Sequence, residues 1–583
     1  MDINIKNEAN KIWDVANILR GPWNREEYKD VIIPFLILRR FECIASFNQI
    51  KVEKILEEWY LRHPEQKKDR ELLDENEITR RLRKENIECY NIWNSSMIKF
   101  EDLANANKNL EEKIIEYIKC FPQIIRDIFL DTSKDKNKKQ KNFDIEKIIN
   151  RLSSEKLLVP IVNKFLEFEL YPQNFSNQQM GYIFEELIRR FSENKTAGEH
   201  YTPREVVELL CKLAICKTKF KDSQVINLGD FACGTGGILS KCYDILLQET
   251  KKQKVEGLKI KLFGQEINPM SYAFCVADML INGQDPEKII CASTLEVDKT
   301  GDEKFDFIIE NPPFGESWGG KGKENETYEI NNSSRFRTTV VKNKGTNENK
   351  IGKGDIQLFF HMDALHKLDK NGKAIIISNG SPLFNGDVNS GENMFRLSCL
   401  NKLECIIQLP SELFYNTGIP VYIWIYNNFK EEEFKDKIQL IDASSMCVRL
   451  NKGLGMKRNK ITSGKENETS DQVEEIVKMY EQKIDNGDTS KIFNVNHFKT
   501  KKWSIKVKKQ RSYILNQENI DKLKDFFFFD EEEYKILEEK GQEARIKLKE
   551  ESKFKALAEL KSNIYIYRYI WSSWKKCFTN SFS

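Results

Sequence analysis

The run Val225-Ile226-Asn227-Leu228-Gly229-Asp230 passes directly into Phe231-Ala232-Cys233-Gly234-Thr235-Gly236-Gly237-Ile238-Leu239. A buried strand feeding a glycine-rich turn that opens a helix is a starting unit of an open α/β sheet. Glycines accept positive φ and let the backbone approach a ligand closely. Such turns commonly serve a dinucleotide pyrophosphate or S-adenosylmethionine. The GxGxxG spacing is not met, and no Walker lysine–hydroxyl pair follows, because the chain continues Leu239-Ser240-Lys241. Asp230 would repel a pyrophosphate but suits a cationic amino-acid ligand, which favours the methyl donor. Simple helix–strand packing is the plainer reading of such a turn taken alone.

A second strand at residues 258–263 ends at Gly264-Gln265-Glu266. An acidic residue there takes the ribose hydroxyls in a Rossmann-like site, where the bland reading is a surface carboxylate. Upstream, Gly198-Glu199-His200-Tyr201-Thr202-Pro203-Arg204-Glu205 predicts a capped helix, with Thr202 at the N-cap, Pro203 at N1 and Glu205 three residues after the cap. Its positive end would also help hold the donor's carboxylate.

Phe305-Asp306-Phe307-Ile308-Ile309-Glu310 predicts a strand that stops at Asn311-Pro312-Pro313-Phe314. Two prolines pin φ and remove two donors, fixing a rigid turn at the strand's carboxyl end, the edge where open α/β sheets bind ligands. An exocyclic base amine is a poor nucleophile because its lone pair is delocalised. Two acceptors, the Asn311 side-chain oxygen and the Pro312 carbonyl, would draw its nitrogen toward tetrahedral geometry. Asn is not a base, so such a site works by positioning and charge stabilisation. Phe314 would stack on a base flipped from its duplex. The plainer alternative is a strand-ending turn with a buried Phe. The turn also suits the amine of cytosine, an RNA base or a protein glutamine.

Taken in order, these segments resemble the amino-methyltransferases acting on DNA, and more closely the modification (M) subunit of type I restriction-modification systems. Further stretches carry the resemblance: Gly181-Tyr182-Ile183-Phe184-Glu185-Glu186-Leu187, Asp355-Ile356-Gln357-Leu358-Phe359-Phe360, and Leu409-Pro410 with Phe414 and Thr417-Gly418-Ile419. At the N-terminus, Ile12-Trp13, Leu19-Arg20-Gly21 and Leu38-Arg39-Arg40 also match, so that residues 5–520 are covered. The resemblance implies N6-adenine methylation of double-stranded DNA, with Asn311, Pro312, Pro313 and Phe314 as the catalytic tetrapeptide. It implies S-adenosylmethionine contacts from Glu199, His200, Tyr201, Thr202, Pro203 and Arg204, from Asp230, Gly234, Thr235, Gly236 and Gly237, and from Glu266. Three positions depart from the pattern. Phe231 stands where Pro is usual, Ser293 where an acidic residue often contacts the donor's adenine, and Asp278 where Asn is common.

A chain of 583 residues should hold two to four domains. Residues 1–160 predict a helical domain. Residues 161–440 predict a seven-stranded mixed sheet of the class I, Rossmann-like, S-adenosylmethionine-dependent α/β type. Residues 441–583 predict a helical C-terminal segment for partner docking, with a helix at 471–483, a short strand at 503–507 and a charged helix at 531–561. The Gly/Asn/Lys-rich segment 315–354 predicts a mobile loop beside the base pocket. The net charge of +3 excludes a uniformly basic DNA-coating protein, so DNA affinity must come from local patches or a partner. The Lys-rich run at 134–141 reads as a solvated loop before a phosphate contact. Thirteen cysteines without CxxC pairing and five histidines without ligand spacing point away from a zinc site or a disulfide framework. No signal peptide or membrane-length run is visible, which predicts a cytoplasmic protein with no membrane partner. No sequence-reading domain is evident. The resemblance therefore implies a specificity (S) subunit, a second M subunit, and a restriction (R) subunit where the complex cleaves. A non-catalytic scaffold of the same fold is the reading from a different class.

Overall fold

The computed structural model describes residues 10–498, except 69–71, 88, 97, 105–108, 131–143, 177–178, 182, 184–185, 188–189, 191–201, 337–350, 353, 387–389, 416, 465–467 and 469. Glu199, His200 and Tyr201, the run at 134–141, and the elements expected at 503–507 and 531–561 lie outside the described residues. The chain divides after Asn496 into two units, and the elements below lie in the first.

The N-terminal part is helical, as its periodicity predicts, with helices Tyr28–Arg62, Leu110–Lys119, Gln123–Phe129, Ile145–Ser154 and Leu158–Leu166. The long first helix buries nearly everything from Val31 to Ala45, so its middle turns form a core element rather than an amphipathic surface helix. Two arginines sit inside that apolar stretch. Arg40, fully buried, donates to the carbonyls of Leu170 at 2.5 Å and Phe175 at 3.1 Å. Arg39 donates to the carbonyl of Phe168 at 3.0 Å and pairs with Glu42. The Leu38-Arg39-Arg40 segment thus bolts the long helix to the chain that leads toward the sheet. Arg40→Ala strands two buried carbonyls and opens a cavity, and should cost about 3 kcal/mol. A lower urea midpoint at unchanged m-value would report it.

The sheet has nine strands: β1 (Val225–Asp230), β2 (Lys259–Glu266), β3 (Ile289–Cys291), β4 (Phe305–Glu310), β5 (Leu368–Ser378), β6 (Leu403–Gln408), β7 (Tyr422–Asn427), β8 (Lys437–Asp442) and β11 (Ser490–Asn494). Their order is β11-β8-β6-β7-β5-β4-β1-β2-β3. A separate hairpin is formed by β9 (Val448–Leu454) and β10 (Lys457–Lys460). Pairing is parallel from β3 through β5, β7 is antiparallel to both β5 and β6, and β8 is parallel to β6. The central parallel strands are covered on both faces, which is why they read as apolar runs. Register aligns Asp230 with Gly264 and Leu228 with Phe307, so the carboxyl ends of β1, β2 and β4 share one edge. The chain winds outward from β1 to β3, then crosses back to β4. That reversal makes the β1/β4 boundary the switch point where an open sheet leaves a crevice.

The sheet class is the expected one, but seven strands were predicted and nine are present. The two additional strands, β8 and β11, pair antiparallel at one end of the sheet. β11 (Ser-Lys-Ile-Phe-Asn) is a polar five-residue edge strand without an apolar run to announce it. The segment after the tetrapeptide also differs from a continuous loop. It forms the helix Glu324–Asn332 and a turn of 3-10 helix at Ser334–Phe336.

Candidate active site

The glycine turn after β1 and the Asn-Pro-Pro-Phe turn after β4 flank the switch point. Gly236 has φ +79°, and a Cβ there would lie 2.6 Å from the Cys275 thiol, so only glycine lets this turn approach the helix Pro269–Ile281. Glu266, at the end of β2, accepts from the Gly234 N–H at 2.8 Å and the Asn268 N–H at 2.7 Å. One carboxylate therefore sets the height of the glycine turn and the start of the next helix. Ile267, just after it, is exposed and offers an aliphatic face beside Glu266.

Asp230 is buried. One oxygen accepts from the Ala232 N–H at 3.1 Å, while Oδ2 has no hydrogen-bond partner among the described residues. Burial, with the Glu266 charge adding to it, pushes its carboxyl up to about 8. A buried carboxyl with one oxygen unpartnered among the described residues fits a cationic ligand group, whose charge would favour its ionised form. This orphaned oxygen fits a donor carrying an ammonium.

The tetrapeptide is held from behind. Asn311, 8 % exposed, donates its amide nitrogen to Thr202 Oγ1 at 2.8 Å. The expected capping arrangement does not form. The helix is Arg204–Ile215, Pro203 is its N-cap, and there is no side-chain cap bond. Thr202 serves Asn311 instead, and Glu205 pairs with Lys457. Both side chains have found buried tertiary partners, which outweigh a local cap. Thr202 thus meets the catalytic candidate directly, whereas the sequence placed it on the cofactor side. Pro312 is buried and Pro313 half-buried. Phe314 is 3 % exposed and packs into the main core, as the plainer reading of the turn has it.

The two turns share one edge, with the acidic end of β2 beside β1 on the side away from β4. Residues 175–522 match the N-6 DNA Methylase family, and residues 9–165 match the HsdM N-terminal domain. The chain belongs to the N-6 DNA methylase family. Among curated proteins it is 26 % identical over 471 residues to the type I restriction enzyme MpnII methylase subunit of Mycoplasma pneumoniae, covering 75 % of this chain and 79 % of that one. It is 25 % identical over 455 residues to the MjaIX methylase subunit of Methanocaldococcus jannaschii, covering 76 % and 73 %. Its fold is similar to that of a type I restriction-modification methyltransferase subunit from Streptococcus thermophilus, with TM-score 0.60 at 18 % identity over 85 % of this chain and 97 % of that one.

The methylase's three departures from pattern acquire physical content. Phe231 supplies an N–H that a proline would lack, and this N–H donates to Glu310 at 3.2 Å. Its ring lies under the Lys367 ammonium at 3.8 Å from the centroid, and its carbonyl accepts from Thr294 at 2.5 Å. Lys367 is paired with Asp363 at 2.8 Å, and Arg335 meets Asp363 at 2.7 Å and Glu329 at 2.9 Å. Glu310 itself is fully buried directly before Asn311, and burial together with Asp230 and Asp363 raises its carboxyl well above the usual range. Phe231 and Glu310 therefore tie the glycine turn to the tetrapeptide strand. Asp278 accepts from Ser240 Oγ at 2.8 Å, linking the helices that follow β1 and β2. Ser293 is buried and carries a turn, its carbonyl accepting from Glu296 and Val297. Among the described residues no His/Cys/Asp/Glu group is arranged to hold a metal, and no helix is long and apolar enough to cross a membrane.

Proposed function

We propose that this methylase transfers a methyl group from S-adenosylmethionine to N6 of a flipped adenine in double-stranded DNA, as the modification subunit of a type I restriction-modification complex. The observation that carries the reading is the Asn-Pro-Pro-Phe turn across the switch point from the glycine turn, with Asn311 fixed by Thr202. When bound, the donor supplies an electrophilic methyl on a sulfonium. Asp230 would hold the donor's ammonium, Glu266 its ribose hydroxyls, and the turn Gly234-Thr235-Gly236-Gly237 would pass close along it. Glu199 to Arg204 would complete that side.

With its amide nitrogen engaged by Thr202, Asn311 presents its side-chain oxygen to the base amine, and the Pro312 carbonyl takes the second N–H. The nitrogen lone pair is thereby localised for attack on the methyl carbon; as the N–C bond forms the C–S bond breaks to leave a neutral thioether, and the surplus N6 proton then passes to solvent. Phe314 would stack on the adenine, which requires its ring to turn outward from the core as the base enters. The relatives are named as methylase subunits of type I restriction enzymes, which supports work within a multi-subunit complex; its partners here would be a specificity subunit to choose the sequence, a second M subunit, and a restriction subunit when the complex cleaves.

The test is modification-sensitive sequencing of the native host's DNA with and without this gene. N6-methyladenine should disappear from one recognition motif in the deletion strain. An unchanged methylation map would count against both the substrate and the reaction.

A further inference from the structure

β6 and β8 run parallel to the central strands, so the loop after β6 and the hairpin after β8 emerge at the edge that carries the two turns. The β9–β10 hairpin lies along the loop after β6. Arg458 and Asn459 donate their N–H groups to the Glu412 carbonyl at 2.8 and 3.1 Å, and the Met456 N–H bonds Tyr415 at 2.7 Å. At its turn end, where Lys457 pairs with Leu454, it is anchored by Lys457, 3 % exposed, which pairs with Glu205 and donates to the Leu413 carbonyl at 2.8 Å. Glu205 sits in the first turn of the helix preceded by Thr202, and Thr202 bonds Asn311. A short chain of buried contacts therefore fixes this hairpin relative to the tetrapeptide.

Its sequence, Val-Arg-Leu-Asn-Lys-Gly-Leu-Gly-Met-Lys-Arg-Asn-Lys at 448–460, carries five cations and no acidic residue, in a chain whose net charge is only +3. Lys457 is spent on the anchor. Arg449 has its side chain 63 % exposed in a solvent-facing pair with Glu412, and Lys452 is exposed near the tip. An exposed ion pair of that kind is worth little, so exchanging Glu412 for a phosphate costs little. Arg458 is half-exposed and braces the tip by donating to the Gly455 carbonyl.

The geometry points to the β9–β10 hairpin as a DNA-backbone ribbon: Arg449, Lys452 and Arg458 grip phosphates of the duplex while Lys457 holds the ribbon in register with Asn311. The inference rests on the DNA reading above and adds where this chain itself takes hold of the duplex. Phosphate contacts carry no sequence information but set position, which fits a subunit whose target is chosen by a partner. The anchor gives the ribbon a further consequence, since a duplex seated on it lies at a fixed distance from the tetrapeptide.

The experiment measures binding of a short fluorescent duplex of arbitrary sequence by the complex with its specificity subunit, across a series of salt concentrations. Each phosphate contact contributes about 0.9 to the slope of log K against log salt. Arg449→Gln with Lys452→Gln should flatten that slope by about 2 and weaken binding at low salt about tenfold. Lys452→Glu, at an exposed position that leaves the anchor intact, should weaken binding further than Lys452→Gln. Lys251→Gln with Lys252→Gln, at the far end of the helix that begins at the glycine turn, removes equal charge and should leave the slope unchanged. A parental slope in the hairpin variants, or an equal fall in the Lys251/Lys252 control, would overturn the ribbon. Loss of complex assembly with unaltered DNA binding would overturn it too, and would assign the hairpin to a protein partner. Failure of the DNA reading would show separately, as a parent complex that transfers no methyl group to amplified host DNA.

Discussion

Asn311→Ala is expected to lower methyl transfer by about 10³-fold while leaving donor affinity within twofold of the parent, roughly the size seen when one aimed polar group is removed from a charge-stabilising site. The separation follows from position. Asn311 ends β4, on one side of the switch point, whereas Asp230, Glu266 and the glycine turn belong to β1 and β2 on the other. Alanine removes the acceptor for one base N–H and, of the residues proposed to line the donor side, touches only Thr202, which loses its 2.8 Å contact. Thr202→Val supplies the graded comparison. It keeps the Asn311 oxygen yet releases the amide, and should cost about tenfold in kcat, the value of one hydrogen bond. Calorimetric titration with S-adenosylmethionine and single-turnover methylation of amplified host DNA read the two effects separately. A normal rate for the alanine variant would remove Asn311 from the mechanism.

The contrast between these two variants also marks what the sequence could and could not say. β1, β2 and β4 were legible because each is a run of β-forming residues ended by a turn signal, and the tetrapeptide and glycine turn announce themselves as continuous motifs. The capping box was misread for a reason internal to the fold: the hydroxyl of Thr202 and the carboxylate of Glu205 each have a buried partner more than a hundred residues away. Local pattern cannot weigh a tertiary bond against a cap. The network of Phe231, Glu310, Arg335, Asp363 and Lys367 was invisible for the same reason, since its members come from four separate elements joined only when β1 and β4 pair. In the sequence Phe231 is only a departure from the family pattern, standing where Pro is usual. In the fold it is also the donor that satisfies one oxygen of a buried carboxyl. The hairpin at 448–460 was absorbed into a segment read as helical, because a polar, glycine-containing ribbon has neither the apolar alternation nor the length of an ordinary strand pair.

Asp230→Asn should strengthen the unliganded fold and abolish donor binding at once. The parent's carboxyl, buried and with Oδ2 unpartnered among the described residues, is pushed up to about 8. The unfolded chain returns it to about 3.9. Because the folded pKa is the higher one, the native state binds the extra proton between these values. Its stability falls as pH rises from about 4 and levels off above about 8. Asparagine keeps the bond to the Ala232 N–H and does not titrate. The two proteins should therefore melt alike at and below about pH 4 and diverge in favour of the variant toward pH 9, by a gap on the order of a few kcal/mol. Glu310 moves in the same direction, since the Asp230 charge contributes to its raised pKa. The same substitution removes the anion proposed to meet the donor's ammonium, and loss of one member of a buried charge pair should weaken S-adenosylmethionine at least about 100-fold. Differential scanning calorimetry against pH without donor, alongside donor titration at pH 8, tests both halves. Parallel melting curves at every pH would mean that the carboxyl is not carrying a desolvated charge. Undiminished donor affinity would mean that the glycine turn and Glu266 hold the donor without it. The expected pairing, a more stable protein that no longer binds its donor, is the signature of a charge kept buried for a ligand rather than for the fold.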